Sequence, residues 1–178
     1  MGNVSIIFVT LMVSFFPLYV SDRYYYIRHD KLYAFYVLAS LLVIVMGSVL
    51  LTHYNKRDKE NKIENKKNKF SFTDYGMIGF LISAIISTLV SDYKFDSLTG
   101  ALGRNNGLIL TFAYFVVYFI ISRTYRENKV VPIVMAVVSS FVAFIGILQQ
   151  FYWDPLNLYN GMSSSQYTKF ISTIGNRN

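Results

Sequence analysis

An all-α, polytopic bundle of transmembrane helices is the fold class this sequence predicts, and three observations carry the prediction. Only 15% of the 178 residues are charged against a hydrophobic share of 53%, where soluble domains carry about 25% charged residues. The apolar residues collect into long runs rather than alternating with polar ones. Lys and Arg then concentrate in particular connections between the runs, as insertion into a bilayer requires.

A hydrocarbon core about 30 Å thick needs roughly 20 apolar residues of helix, and about 17 where flanking groups snorkel. Five runs meet or approach this length, at residues 4–20, 32–52, 75–90, 107–122 and 130–151. The third and fourth are the shortest. A soluble chain of this size has too little interior to hide five such helices, so lipid is the solvent that accounts for them together. The first run is expected to be a span rather than a cleaved signal peptide: no Lys or Arg precedes it, it is longer than a usual signal core, and Pro17 falls near its end. Residues 1–178 are therefore expected to form a single membrane domain of about five spans.

Charge placement orients the bundle. The connection 54–69 carries Lys56, Arg57, Lys59, Lys62, Lys66, Lys67 and Lys69, so it is expected to be a cytoplasmic basic loop. Alternation then places Arg123, Arg126 and Lys129 inside with the N-terminus, and turns 21–31, 91–106 and the segment from 149 onward outward. Tyr19, Tyr24, Tyr25, Tyr26, Tyr93, Tyr152 and Trp153 fall where an interfacial aromatic belt would lie. The Lys/Asn/Glu-rich basic loop is low in complexity and expected to be disordered. Its position between two spans explains the net charge of +7 through anionic lipid, and no nucleic-acid partner is expected.

Several chemistries are excluded. With no cysteine the chain has no disulfide, thiol nucleophile or Cys-based zinc site. No glycine-rich phosphate loop, His-Glu-x-x-His helix or Asp-x-Asp pair occurs, so no metal and no cofactor are expected. His29 and His53 fall on opposite sides of the expected bilayer and cannot share a site.

Two outward stretches stand out. The first runs from Ser91 to Gly107 and ends Gly103-Arg104-Asn105-Asn106-Gly107 at the mouth of the fourth helix. The Arg104 guanidinium suits bidentate binding of a phosphate or diphosphate, and Asn105 and Asn106 offer amides to phosphate or sugar. The start of the following helix adds unpaired N–H groups. The residues leave a second reading open, in which Arg104 snorkels to lipid headgroups and Gly103 and Gly107 make the turn. The second stretch, 170–178, ends Gly175-Asn176-Arg177-Asn178, again an amide-rich turn around an arginine. Its plain alternative is a loop before a further helix.

The order of a hydrophobic hairpin, a short span, the Phe95–Leu98 and Gly103–Gly107 stretches entering an apolar helix, and a later Gly-Asn-x-Asn resembles the N-terminal half of the bacterial O-antigen ligase and polysaccharide polymerase superfamily. Arg104 to Gly107 match that family's R-x-x-G, and Gly175, Asn176 and Asn178 match its G-N-P-N, with Arg177 in place of the proline. The resemblance implies a metal-independent glycosyltransferase of the cell envelope, working at the outer face of the bacterial cytoplasmic membrane. It would transfer saccharide from an undecaprenyl-diphosphate carrier to a glycan acceptor, with Arg104, Asn105, Asn106, Asn176 and Arg177 binding substrate. It names no catalytic residue within this stretch, since the family's large outer loop would lie beyond residue 178; the chain is accordingly expected to be part of a longer enzyme. Two other classes compete. One is a non-catalytic membrane scaffold or accessory subunit, favoured by the lack of ionisable residues deep within the runs. The other is a different lipid-linked glycosyltransferase using Asp22 or Asp30.

The topology has a direct test in this cysteine-free chain. A Ser97→Cys variant should react with a membrane-impermeant maleimide added from outside, and labelling from the cytoplasmic face alone would invert the arrangement.

Overall fold

Every long apolar run forms a helix. The computed structural model describes residues 2–21, 23–24, 26–57, 70–101, 105–163, 167 and 171–175, with the backbone alone over 53–57. In chain order the helices are α1 (Gly2–Leu18), α2 (Ile27–Arg57), α3 (Phe72–Val90), α4 (Lys94–Thr99), α5 (Leu108–Thr124) and α6 (Val130–Gln150). Among the described residues there is no strand, as expected where lipid-facing backbone must pair within its own segment.

Three helices are long and apolar enough to cross a membrane: Ile27–Thr52 within α2, α3, and α6. The shorter α1 and α5 are equally apolar, with 17 residues each, or about 26 Å at 1.5 Å per residue. Large side chains along these helices stand outward, Leu89 at 68%, Ile133 at 62% and Val137 at 63% exposure. Water would penalise such surfaces and hydrocarbon does not. The chain is a helical membrane protein.

The structure departs from the sequence expectation at both ends of α2 and in the connection 91–107. At its C-terminal end α2 runs on to Arg57, into the expected basic loop, whose residues 58–69 lie outside the described residues. Helix α2 begins at Ile27 rather than near residue 32, because Ile27-Arg28-His29-Asp30-Lys31 holds no Gly or Pro to stop a helix, although its polarity ends the hydropathy signal. Its 31 residues reach about 47 Å, well beyond the hydrocarbon. His29 and His53 thus lie near opposite ends of one helix, about 36 Å apart. The connection 91–107 carries the helical turn α4, which its mixed composition did not signal.

The chain divides into two compact units, Met1–Ser5 with Ala39–Arg126, and Ile6–Leu38 with Glu127–Asn178. In the first, α3 and α5 pack antiparallel with α4 bridging them. At one end of this pair the Asp74 carboxylate accepts from Ser71 N–H at 2.8 Å, from Tyr118 Oη at 3.0 Å and from both Arg123 amino nitrogens at 3.3 and 3.2 Å. The Arg123 guanidinium also lies 4.4 Å from the centre of the Phe119 ring and 5.4 Å from that of Phe70. One buried carboxylate thus closes the start of α3 and holds it to the end of α5. The Ser5 and Thr124 hydroxyls share a hydrogen bond at the same end of α5.

The second unit centres on Tyr24, Ile27 and Leu158, with Val20, Tyr159 and Met162 packed around them. Here the last carbonyls of α1, Phe16 and Pro17, accept from Lys31 Nζ at 3.2 and 3.1 Å, which satisfies groups that a helix end leaves unpaired.

The clasp predicts an order of stabilities. In detergent, thermal unfolding should give wild type above Asp74→Asn, and Asp74→Asn above Asp74→Ala. The amide keeps one acceptor oxygen, enough for Ser71 N–H or Tyr118 Oη, but loses the second oxygen and the charge, and alanine loses every partner. Arg123→Lys should also fall below wild type, since lysine lacks the two-pronged contact and ring stacking.

Candidate functional site

The stretch between α4 and α5 is held closed by two glycines. Gly100 has φ 93°, a left-handed conformation that costs glycine little. A Cβ there would collide with the backbone of Asn105 and Asn106. Gly107, which precedes the first residue of α5, is equally confined: a Cβ would strike Leu98 O and Gly100 N. The backbones of 98–100 and 105–107 therefore press together, closer than any side chain allows. Asn105 N–H donates to Ala101 O at 3.1 Å, and Asn105 itself has φ 53°, a region asparagine tolerates better than most residues.

This neck presents Asn105 half-buried and Asn106 exposed at the mouth of α5. Arg104 lies outside the described residues. Across the base of the loop, Ser97 Oγ donates to Ser91 Oγ at 2.7 Å and Tyr93 N–H donates to the same oxygen at 3.1 Å, so the connection is tied to the end of α3 as well.

The second stretch belongs to the other unit. Asn176 and Arg177 lie outside the described residues, but the segment leading to them is firmly seated. Gly175 has φ 82°, and a Cβ there would collide with Ile27. Ser172 and Thr173 are buried. Ser172 N–H donates to Gln149 Oε1, and Ser172 Oγ donates to Val142 O at 2.6 Å.

Gln149 is the hub of this seat. Its Oε1 also accepts from Tyr24 Oη at 3.3 Å, while its Nε2 donates to Asp154 Oδ1 at 3.0 Å. Tyr24 Oη donates to Ser172 O at 2.7 Å, and Asp154 Oδ2 accepts from Tyr159 N–H at 2.7 Å. Burial pushes the Tyr24 phenol above its ordinary range, against the opposing influence of its bond to Gln149, so the hydroxyl stays a donor. Nearby, Arg23 donates to Asn160 O at 3.2 Å.

Sequence reasoning missed both polar clusters. Tyr24 was expected in an interfacial belt, and it is 2% exposed; Arg123 was expected to act through its charge on topology, and it pairs with Asp74. The one available signal was Gln149, an amide at the end of a long apolar run. Among the described residues no cluster of three His, Asp or Glu could hold a metal ion. No family model, no curated protein and no solved structure matches the chain.

The Gln149 network predicts a local loss. Gln149→Leu leaves the buried Ser172 N–H without a partner, at about 1–3 kcal/mol, and takes one donor from the half-buried Asp154 carboxylate. Amide hydrogen exchange should accelerate at Ser172 and Gly175 while the middle of α3 stays unchanged. Tyr24→Phe should have the same pattern at smaller size, about 1 kcal/mol.

Proposed function

We propose that this chain is the N-terminal part of a membrane glycan ligase or polymerase of the O-antigen ligase type. In this reading all five apolar helices span the bacterial cytoplasmic membrane, the N-terminus is inside and the 91–107 connection is outside. The observation that carries it is the neck closed by Gly100 and Gly107, where the backbones of 98–100 and 105–107 press together and Asn105 and Asn106 precede an apolar helix. A donor whose diphosphate rests at the headgroup level and whose lipid tail runs beside the helices would meet these groups at its leaving group.

The chemistry asked of them is modest. An acceptor hydroxyl oxygen bonds to the anomeric carbon of the donor sugar. The bond from that carbon to the diphosphate oxygen breaks, the carrier diphosphate leaves with the electron pair, and the acceptor hydroxyl proton passes to water. Negative charge grows on the diphosphate, so a fixed guanidinium aimed at it lowers the barrier without a metal or other cofactor. Asn105 and Asn106 amides would orient phosphate or sugar, and the family resemblance implies that Asn176 and Arg177 bind substrate too.

The test is glycan transfer in membranes that carry the whole native protein. Arg104→Lys keeps the charge and loses the fork, so transfer should fall roughly ten- to a hundredfold, the loss of about 1.5–3 kcal/mol expected for one charge-assisted contact. Membrane insertion should persist. Unchanged transfer by both Arg104→Lys and Arg104→Gln would make the residue a headgroup anchor and remove the basis of the proposal.

A further inference from the structure

The C-terminal end of α6 closes with a tyrosine where a glycine would be easier. Trp153 N–H donates to Leu148 O at 3.1 Å and Tyr152 N–H donates to Gln149 O at 3.0 Å, the paired bonds of a left-handed helix stop. Glycine usually fills the left-handed position of such a stop, because it has no Cβ to clash. Here Tyr152 fills it, with φ 62°, a conformation that a bulky side chain adopts only at a cost. Packing does not offset that cost, since Tyr152 is 93% exposed. A tyrosine that strains its backbone and touches little of its own protein acts on something outside it.

The surroundings identify what that is. Phe151 and Trp153 on either side are exposed as well. Asp154, by contrast, is turned into the second unit, where Gln149 Nε2 and Tyr159 N–H donate to its two carboxylate oxygens. The turn therefore keeps its one charged side chain inside and shows three aromatic rings outside, the reverse of what water favours. Helix α6 has 21 residues and reaches about 32 Å, which matches a hydrocarbon core about 30 Å thick. Arg126, Glu127 and Lys129 precede its first residue, and charged groups at that end keep it from sliding further into hydrocarbon. Residues 151–153 thereby fall at the opposite headgroup boundary. Tyrosine and tryptophan suit that boundary, with a ring for the apolar side and an O–H or N–H for the wet one.

We propose that the turn 151–153 is a membrane-interface anchor, in which the left-handed Tyr152 sets its ring into the phospholipid headgroup boundary and fixes the depth of α6. The anchor rests on α6 crossing the bilayer, which belongs to the reading above, and is independent of the transfer reaction. Gln149, in the last turn of α6, also accepts from Ser172 N–H. The depth set by Tyr152 is thus the depth at which the 171–175 segment is held.

The experiment reads Trp153, the sole tryptophan of the 178 residues, in the whole protein in phosphatidylcholine vesicles, with Trp153→Phe isolating its emission. Lipid brominated near the glycerol end of the acyl chain should quench Trp153 strongly, lipid brominated near the chain terminus less, and aqueous iodide least. Tyr152→Gly removes the ring and suits the geometry of the stop, so the fold persists and the melting temperature in detergent should not fall. In vesicles the same variant should lose roughly twofold in lipid quenching and gain as much in iodide quenching. A lower melting temperature would make the ring a packing element, and equal lipid quenching in wild type and Tyr152→Gly would leave the ring idle; either result overturns the anchor. So does Trp153 emission that iodide quenches and brominated lipid does not, the mark of a turn standing in water.

Discussion

Hydrocarbon offers no hydrogen bonds, and that single deprivation organises this molecule. Within each helix the backbone pairs with itself, so the middles of α3, α5 and α6 need no polar side chain. The ends are different, because a helix leaves its first four N–H groups and last four carbonyls unpaired. Among the described residues, several specific polar contacts gather there. Asp74 reaches back to Ser71 N–H at the start of α3, Lys31 covers the last carbonyls of α1, and Gln149 stands at the last turn of α6.

The two units answer the demand with different chemistry. The first uses an ion pair, in which Arg123 lies on two aromatic rings while both its amino groups face one carboxylate. Such a pair holds two helices in one register, since the fork and the carboxylate meet in one geometry. The second uses a neutral hub. Gln149 accepts from Tyr24 and Ser172 and donates to Asp154. Ionised glutamate, of the same length, could accept but not donate, and lysine could donate but not accept, whereas the glutamine amide does both.

Legibility in the sequence followed the range of each interaction. The five apolar runs revealed the five long helices because hydropathy is a property of neighbours. Where polarity and helicity part company the reading stopped short, so residues 27–31 of α2 and the turn α4 went unforeseen. The polar clusters were invisible for a different reason: Asp74 and Arg123 are 49 residues apart, Tyr24 and Gln149 are 125 apart, and nothing local marks either pair. At the 91–107 loop the tight approach is between the backbones at Gly100 and Gly107, while Gly103, a turn glycine of the snorkelling reading, lies outside the described residues. Asn105 and Asn106 are placed at the mouth of α5, whereas Arg104, Asn176 and Arg177 fall outside the described residues.

The bond from Tyr24 to the carbonyl of Ser172 spans 148 positions, and the chain is made in order. At translation rates of about 5–20 residues per second, roughly 7–30 s separate the emergence of these two residues from the ribosome. Through most of that interval Tyr24 stands without the amide of Gln149, and throughout it without the carbonyl of Ser172, since both lie later in the chain. The second unit is thus split in time as well as in sequence, and its interior closes only after the whole of Ala39–Arg126 has been delivered to the membrane. Until then the wet boundary of the bilayer must host a phenol destined for burial.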